Sequence, residues 1–255
     1  MKMIKVENLT FGYKKNRSVL KNVSFSCEQG SINVLIGLNG SGKTTLIKII
    51  AGLLVPCEGN VFIAGSNLAH LSIRKKAKTL AYVSQKTSAA DDFCVKDYLL
   101  FGKVNCLKFY QTPSATDVRK VLEIAEQFGI TQLLDKKIGE LSGGERQIVS
   151  ICSAIVQSAE IILLDEPTSA LDIKNQAMVL NLIKKISAEE KKTFLLSSHN
   201  PNQALYLNSH VFLLQDGVIL KEGEAKQIIT TDNLKSIYGE SIKYSKDLEY
   251  NEVTF

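Results

Sequence analysis

Residues 32–45 read Ile32-Asn33-Val34-Leu35-Ile36-Gly37-Leu38-Asn39-Gly40-Ser41-Gly42-Lys43-Thr44-Thr45, and this stretch decides the fold. The run Ile32–Ile36 is rich in β-branched and apolar residues and predicts a buried strand. Gly37 to Thr44 matches G-x-x-x-x-G-K-[ST], and an apolar-periodic stretch over residues 43–53 predicts a helix directly after it. Glycines let backbone N–H groups turn inward as a nest for phosphate oxygens, and the helix N-terminus adds its partial positive charge. Lys43 then supplies a point charge at the β- and γ-phosphates of a nucleotide, and the Thr44 hydroxyl suits Mg²⁺.

Two further stretches extend this reading. Ile161-Ile162-Leu163-Leu164-Asp165-Glu166-Pro167 is an apolar strand that ends in two carboxylates. Ligands of open parallel sheets bind at the carboxyl ends of the strands, so both acids are expected to face the phosphate loop. Asp165 is the expected holder of Mg²⁺, directly or through water, and Glu166 the base that polarises an attacking water. Taken alone, Asp165 also reads as a cap for the following helix. Leu141-Ser142-Gly143-Gly144-Glu145 has a capping box in Ser142 and Glu145. Two glycines in a first helical turn each cost roughly 1 kcal/mol against alanine, and bare N–H groups there suit a phosphate. The chain thus carries two anion-binding helix starts, and one nucleotide need not use both from one molecule.

Around these stretches the chain alternates strands and helices. Short strands with turns near Gly12 and Lys14-Lys15-Asn16 are expected from Ile4 to Phe25, and buried strands at Leu80–Val83, Ile161–Leu164, 194–196 and 211–214. Val118, Val121, Leu122, Ala125 and Phe128 predict one amphipathic helix stopped by Gly129, and Val179, Leu182, Ile183 and Ile186 predict another. The pattern argues an α/β fold with a mostly parallel sheet. Residues 86–158 lack a convincing strand and read as a helical insertion.

Composition excludes several classes. The 255 residues are 45% hydrophobic and 22% charged, an ordinary globular mixture. No run reaches the roughly 18 apolar residues of a membrane span, and the N-terminus has no signal-like apolar stretch. A cytosolic protein is expected. The net charge of +5 comes from scattered Lys and small clusters such as Arg74-Lys75-Lys76, without the concentrated basic patch of a nucleic-acid binder. Five cysteines without a C-x-x-C pair argue against a disulfide framework or zinc site.

Together these motifs resemble the ATP-binding cassette (ABC) ATPases. Gly37 to Thr44 is similar to their Walker A motif, Ile161 to Glu166 to Walker B, and Leu141 to Glu145 to their signature. Gln85 after Tyr82-Val83-Ser84 is similar to the Q-loop, Ser169-Ala170-Leu171-Asp172 to the D-loop, and His199 to the switch histidine. Tyr13 stands where the family stacks an aromatic on adenine, although it also reads as an ordinary strand aromatic. His199 likewise reads as a strand-end core residue when taken alone. Three positions depart from the common pattern: Glu145, Ser153 and Asn200.

The resemblance implies a P-loop NTPase with a mostly parallel sheet, an N-terminal antiparallel β subdomain and a helical insertion. It implies an ATPase core over about 1–85 and 159–238, a helical part over about 86–158 and a polar tail over about 239–255. ATP and Mg²⁺ are the implied cofactors. The implied nucleotide contacts are Tyr13, Gly37, Asn39, Gly40, Ser41, Gly42, Lys43, Thr44, Thr45, Ser142, Gly143 and Gly144. Thr44, Gln85 and Asp165 are the implied metal contacts, and Glu166, His199 and Gln85 the catalytic set.

A head-to-tail homodimer with two sandwiched ATPs is the implied assembly, on the cytoplasmic face of a membrane beside separate permease subunits. An extracytoplasmic binding protein would act with it, and no nucleic acid. Leu171-Asp172-Ile173-Lys174-Asn175-Gln176, residues 95–103 and residues 233–239 are similar to the importer group for ferric siderophores, haem and cobalamin. Gly102-Lys103-Val104-Asn105 keeps only the glycine and a base of that group's Gly-Arg-x-Pro. Importers of molybdate, zinc or manganese, and soluble cassettes of iron–sulfur-cluster assembly, remain open alternatives.

Overall fold

A computed structural model describes residues 1–14, 17–85, 91–103 and 113–239 of the chain. The chain starts with β1 (Lys2–Phe11), β2 (Leu20–Glu28) and β3 (Ile32–Ile36), followed by α1 (Lys43–Ile50), β4 (Glu58–Ile63) and β5 (Ser66–Asn67). Next come α2 (Ile73–Thr79), β6 (Leu80–Val83), α3 (Val95–Phe101), α4 (Ala115–Gln127), α5 (Gly143–Val156) and β7 (Ile161–Leu164). The last elements are α6 (Ile173–Glu190), β8 (Thr193–Ser198), α7 (Pro201–Tyr206), β9 (His210–Gln215), β10 (Val218–Glu224), α8 (Ala225–Ile228) and α9 (Thr231–Tyr238).

Two sheets result. An antiparallel one has the order β2-β1-β4-β5, and a larger one the order β10-β9-β3-β8-β7-β6. Within the larger sheet every pairing is parallel except β10 with β9. Its inner strands read as unbroken apolar runs because both faces are covered. Val34, Ile36, Ile162, Leu164, Phe194 and Leu196 share one core with residues of α4, α5 and α6. The alternate residues Leu35, Ile161, Leu163, Leu195 and Phe212 share another with α1 and the antiparallel sheet. Period-two alternation therefore divides each strand between two cores.

Parallel register aligns the strand ends. Ile36 pairs with Ser198, Leu35 with Ser197, Leu164 with Leu196 and Val83 with Leu164. Gly37, Gln85, Asp165, Glu166 and His199 consequently all leave the sheet along one edge, the carboxyl edge. The expected buried strands are present, two of them longer than their apolar cores. The expected short N-terminal strands are instead two long ones, of 10 and 9 residues, held as a pair. Lys15 and Asn16 lie outside the described residues.

Two helix expectations need correction. The helix predicted over residues 43–53 ends at Ile50. Gly52 takes φ +75°, and the Gly52 and Leu53 N–H groups donate back to Ile49 and Lys48 carbonyls. That is a Schellman-type stop, which a hydrophobic run does not reveal. In α4 the buried face is Val121, Ile124, Ala125 and Phe128, while Leu122 is 44% exposed. Gly129 follows the helix with φ +60°, as expected of its stop. Among the described residues of 86–158 the elements are helical, and no named strand occurs there. The tail beyond residue 239 lies outside the described residues.

Cys27 and Cys152 are buried core thiols, whose pKa values burial pushes up, and Cys106 lies outside the described residues. Among the described residues no helix is long and apolar enough to cross a membrane. The corrected face of α4 gives a direct test by thermal melting. Ile124→Ala should cost about 2–5 kcal/mol, as core truncations do, whereas Leu122→Ala should change stability by no more than about 0.5 kcal/mol.

Candidate nucleotide site

The phosphate loop leaves β3 at Gly37, where a side chain has no room. A Cβ there would lie 2.2 Å from the Leu214 carbonyl oxygen of β9. Lys43, at the start of α1, curls back over the loop and donates from Nζ to the Gly37 and Leu38 carbonyls at 2.8 and 3.0 Å. Its side chain is 4% exposed and stands 3.8 Å from Glu166 Oε1. Burial lowers the pKa of this ammonium, and the nearby Glu166 and Asp165 carboxylates oppose the shift. The Ser41 hydroxyl is buried in the loop and finds no hydrogen-bond partner among the described residues. Such an orphan is the kind of group a phosphate oxygen satisfies.

Asp165 sits at the end of β7, 1% exposed. Its Oδ1 accepts from Thr44 Oγ1 at 3.0 Å and from Ser197 Oγ at 2.8 Å. Among the described residues no group of three His, Cys, Asp or Glu could hold a metal by itself. Thr44 and Asp165 are nonetheless a hydroxyl–carboxylate pair of hard oxygens, which suits a Mg²⁺ ion that keeps waters and phosphate ligands.

Glu166 is the meeting point. Its Oε2 accepts from Gln85 Nε2 at 2.9 Å and lies 3.8 Å from His199 Nδ1, while Oε1 faces Lys43. Its backbone takes φ +49°, unusual for a non-glycine residue. The Glu166 N–H donates to Ser197 Oγ at 2.9 Å, and its carbonyl accepts from Ser169 Oγ at 3.0 Å. These bonds hold the strained turn and aim the carboxylate at the loop.

A cavity of about 460 Å³ opens here, lined by Tyr13, Val19, Asn39, Gly40, Gly42, Lys43, Thr44, Thr45, Gln85 and Glu166. That volume falls in the usual range for small-ligand sites. Tyr13 lies beyond the end of β1 and is 61% exposed. Its hydroxyl is 3.3 Å from Thr45 Oγ1, and its ring packs edge-on against Phe11. A half-free ring at a cavity mouth can stack on a planar base, which a core strand aromatic cannot.

Ser142, Gly143 and Gly144 do not line this cavity. Ser142 caps α5, its Oγ accepting from the Glu145 N–H at 3.3 Å while Glu145 Oε2 accepts from the Ser142 N–H at 2.8 Å. A Cβ on Gly144 would sit 3.4 Å from the Ala170 carbonyl oxygen, whereas one on Gly143 would meet open space. The structure thus brings Tyr13, the phosphate loop, Gln85, Asp165, Glu166 and His199 together and leaves the Ser142 turn elsewhere on the same chain. Asn200 caps α7, its side chain accepting from the Asn202 N–H at 3.0 Å. An Asp there would make the same cap. Ser197, which ties Asp165 to Glu166, escaped sequence reasoning. Its signal was the Ser197-Ser198 pair closing an otherwise apolar strand.

The fold and the site define a nucleotide-handling P-loop protein, and known proteins agree. The model of the ABC transporter family matches residues 20–169. A Helicobacter pylori ATP-binding protein named for iron chelatin transport is 35% identical over 237 residues, covering 92% of both chains. A solved metal-chelate type ABC transporter, in an inward-facing conformation, is similar with a TM-score of 0.80 and 29% identity, over 93% of this chain and 89% of that one. A dimeric ATP-binding cassette in a post-hydrolysis state, bound to ADP and phosphate, is similar with a TM-score of 0.78 and 28% identity, over 88% and 99%. The chain belongs to the ABC transporter family, as one of its ATP-hydrolysing cassettes.

The capping box of α5 makes a pH prediction. Hydrogen bonds from the Ser142 N–H and hydroxyl hold the Glu145 carboxyl below its ordinary pKa. A lowered folded-state pKa contributes stability above the ordinary value and loses it as pH falls through the folded one. The difference in Tm between the wild type and Glu145→Ala should therefore stay constant near neutrality and shrink below about pH 4. Gly37→Ala should weaken ATP binding at least about tenfold, read by equilibrium titration, because its Cβ displaces the loop from Leu214.

Proposed function

We propose that this chain is the energising subunit of an importer of metal chelates, of the iron–siderophore, haem or cobalamin kind, working through a separate membrane permease. The likeness to the iron chelatin protein and to the metal-chelate type transporter supports the cargo. The observation that carries the chemistry is Glu166, which meets Gln85, Lys43 and His199 beside the Thr44–Asp165 pair.

The loop N–H groups from Gly40 to Thr45 and the N-terminus of α1 hold the β- and γ-phosphates. Lys43 exchanges its two carbonyl partners for phosphate oxygens, and Tyr13 stacks on the base. Thr44 and Asp165, with Gln85 nearby, hold Mg²⁺, which supplies positive charge for the developing phosphate charge. The charge balance supports that ion: one buried ammonium faces two carboxylates, so a polyanionic nucleotide needs a cation with it. Glu166 orients a water and takes its proton as the water oxygen bonds to the γ-phosphorus and the bond to the β-phosphate oxygen breaks. His199 stands within reach of the γ-phosphate side of Glu166. ADP and inorganic phosphate are the products.

Ser142, Gly143 and Gly144 reach phosphate only across a dimer, head to tail, as one chain's capped α5 start faces the other chain's loop. Their absence from the lining of their own chain's cavity supports this assembly, and so does the dimeric cassette with ADP and phosphate. The subunit works on the cytoplasmic face, and a binding protein on the far side delivers the chelate.

The test is purification of the tagged chain from gently solubilised membranes, with partners identified by mass spectrometry. A polytopic permease is expected; recovery with soluble assembly proteins alone would overturn the importer reading. Lys43→Ala should abolish tight ATP binding in a filter or calorimetric assay. Glu166→Gln should bind ATP, accumulate as a dimer on size exclusion and turn over at least about 100-fold slower. Near-normal turnover would remove Glu166 as the base.

A further inference from the structure

Glu166 and His199 come from the ends of different strands, so something must set their spacing beyond the sheet. Two residues past Glu166, Thr168 Oγ1 donates to Gln203 Oε1 at 3.1 Å. Directly before His199, Ser198 Oγ donates to the same oxygen at 2.9 Å. Thr168, Ser198 and Gln203 are all buried, at 4–5% exposure. An amide carbonyl oxygen has two lone pairs, and each segment takes one. The Ser198 hydroxyl oxygen also accepts from the Asn200 N–H at 3.0 Å, which ties the turn after His199 to the same point. The other end of the amide, Gln203 Nε2, lies 3.5 Å from Gln176 Oε1. Gln176 Nε2 in turn donates to the Leu171 carbonyl at 2.9 Å.

One side chain on the short helix α7 therefore joins the segment 166–171 to the segment 198–200. None of these partners touches the cavity, and Gln203 itself does not line it. The His199 carbonyl is held separately by the Tyr238 hydroxyl at 2.9 Å. That bond fixes the histidine to α9 but says nothing of its distance from Glu166. Among the described residues, the Ser197 hydroxyl ties the strand before His199 to Asp165 and to the Glu166 N–H, and Gln203 adds the side-chain link that joins the residues after Glu166 to those flanking His199.

We propose that Gln203 is a positioning residue for ATP hydrolysis: its side-chain carbonyl sets the spacing of His199 against Glu166, 3.8 Å in this structure. The inference rests on the catalytic reading of Glu166 and His199 given above. Small displacements of reacting groups have large rate effects, so a tether outside the cavity acts on turnover and leaves nucleotide binding to the phosphate loop.

The experiment is steady-state ATPase kinetics of the full chain with Gln203→Leu, which keeps the bulk and removes the acceptor, and Gln203→Glu, which keeps an acceptor oxygen. Gln203→Leu should lower kcat about tenfold while KM for ATP changes less than about twofold, and Gln203→Glu should recover most of the turnover. In a His199→Ala background Gln203→Leu should cost little further turnover, because both changes act on one contact. Wild-type kcat in Gln203→Leu, or losses that multiply in the double variant, would overturn the proposal. If Gln203→Leu does not fold, Thr168→Val and Ser198→Ala each cut one arm of the tether. Each should lower kcat with KM held, and wild-type kcat in both would overturn it equally. Full activity in His199→Ala alone would mark the failure of the catalytic reading instead, and the tether would fall with it.

Discussion

The parallel hydrogen-bond register of β3, β8, β7 and β6 is the constraint on which the site depends. Because Ile36 lies beside Ser198, Leu164 beside Leu196 and Val83 beside Leu164, four separate chain segments leave the same edge of the sheet, β7 and β6 ending level with Leu196 and β3 level with Ser198. A slip of one residue in any pair would reverse which side chains face each core. It would also carry Glu166 or His199 away from the loop. The apolar residues that look like mere filling, such as Leu163 and Phe194, therefore decide where the carboxylates stand. Burial on both faces makes that register costly to change, since each inner strand fills two cores at once.

Charge at the site follows from this geometry. Lys43, Asp165 and Glu166 are gathered where water is scarce, and an isolated charge there would be unfavourable. The chain meets this by giving each group several partners: two carbonyls for the ammonium, two hydroxyls for Asp165, and Gln85, Lys43 and His199 for Glu166. Serine and threonine hydroxyls supply both links to Asp165, since they can donate and accept within a small volume. The same device recurs one layer out, where Thr168 and Ser198 meet on Gln203.

The motifs were legible because each depends on local chemistry. A glycine that must pass the Leu214 carbonyl, a lysine at a helix start and two acids at a strand end have few substitutes, so they stand out without any tertiary knowledge. What escaped was set by neighbours distant in sequence. Leu122 belongs by periodicity to the buried face of α4, yet that face is rotated toward Ile124 by packing against α5 and α3. The stop of α1 at Ile50 depends on Gly52 adopting a left-handed turn within an apolar run. The exposed edge strand β10 has too few buried residues to signal itself, although Asp216-Gly217 between β9 and β10 is a hairpin signature. Ser197 and Gln203 look ordinary in the sequence, and only their placement gives them work.

The sequence by itself determined the class of chemistry, the order of strands and helices, and the identities of the residues at the phosphate loop and the acidic strand end. These follow from rules that act over a few residues: backbone reach, helix starts, apolar periodicity. Only the tertiary structure decided that Gln85, Lys43 and His199 converge on one carboxylate, and that Ser142 stands apart from the cavity of its own chain. Those outcomes depend on strand register and helix packing, which sum many weak contacts between residues distant in sequence, such as Thr44 and Asp165, 121 positions apart.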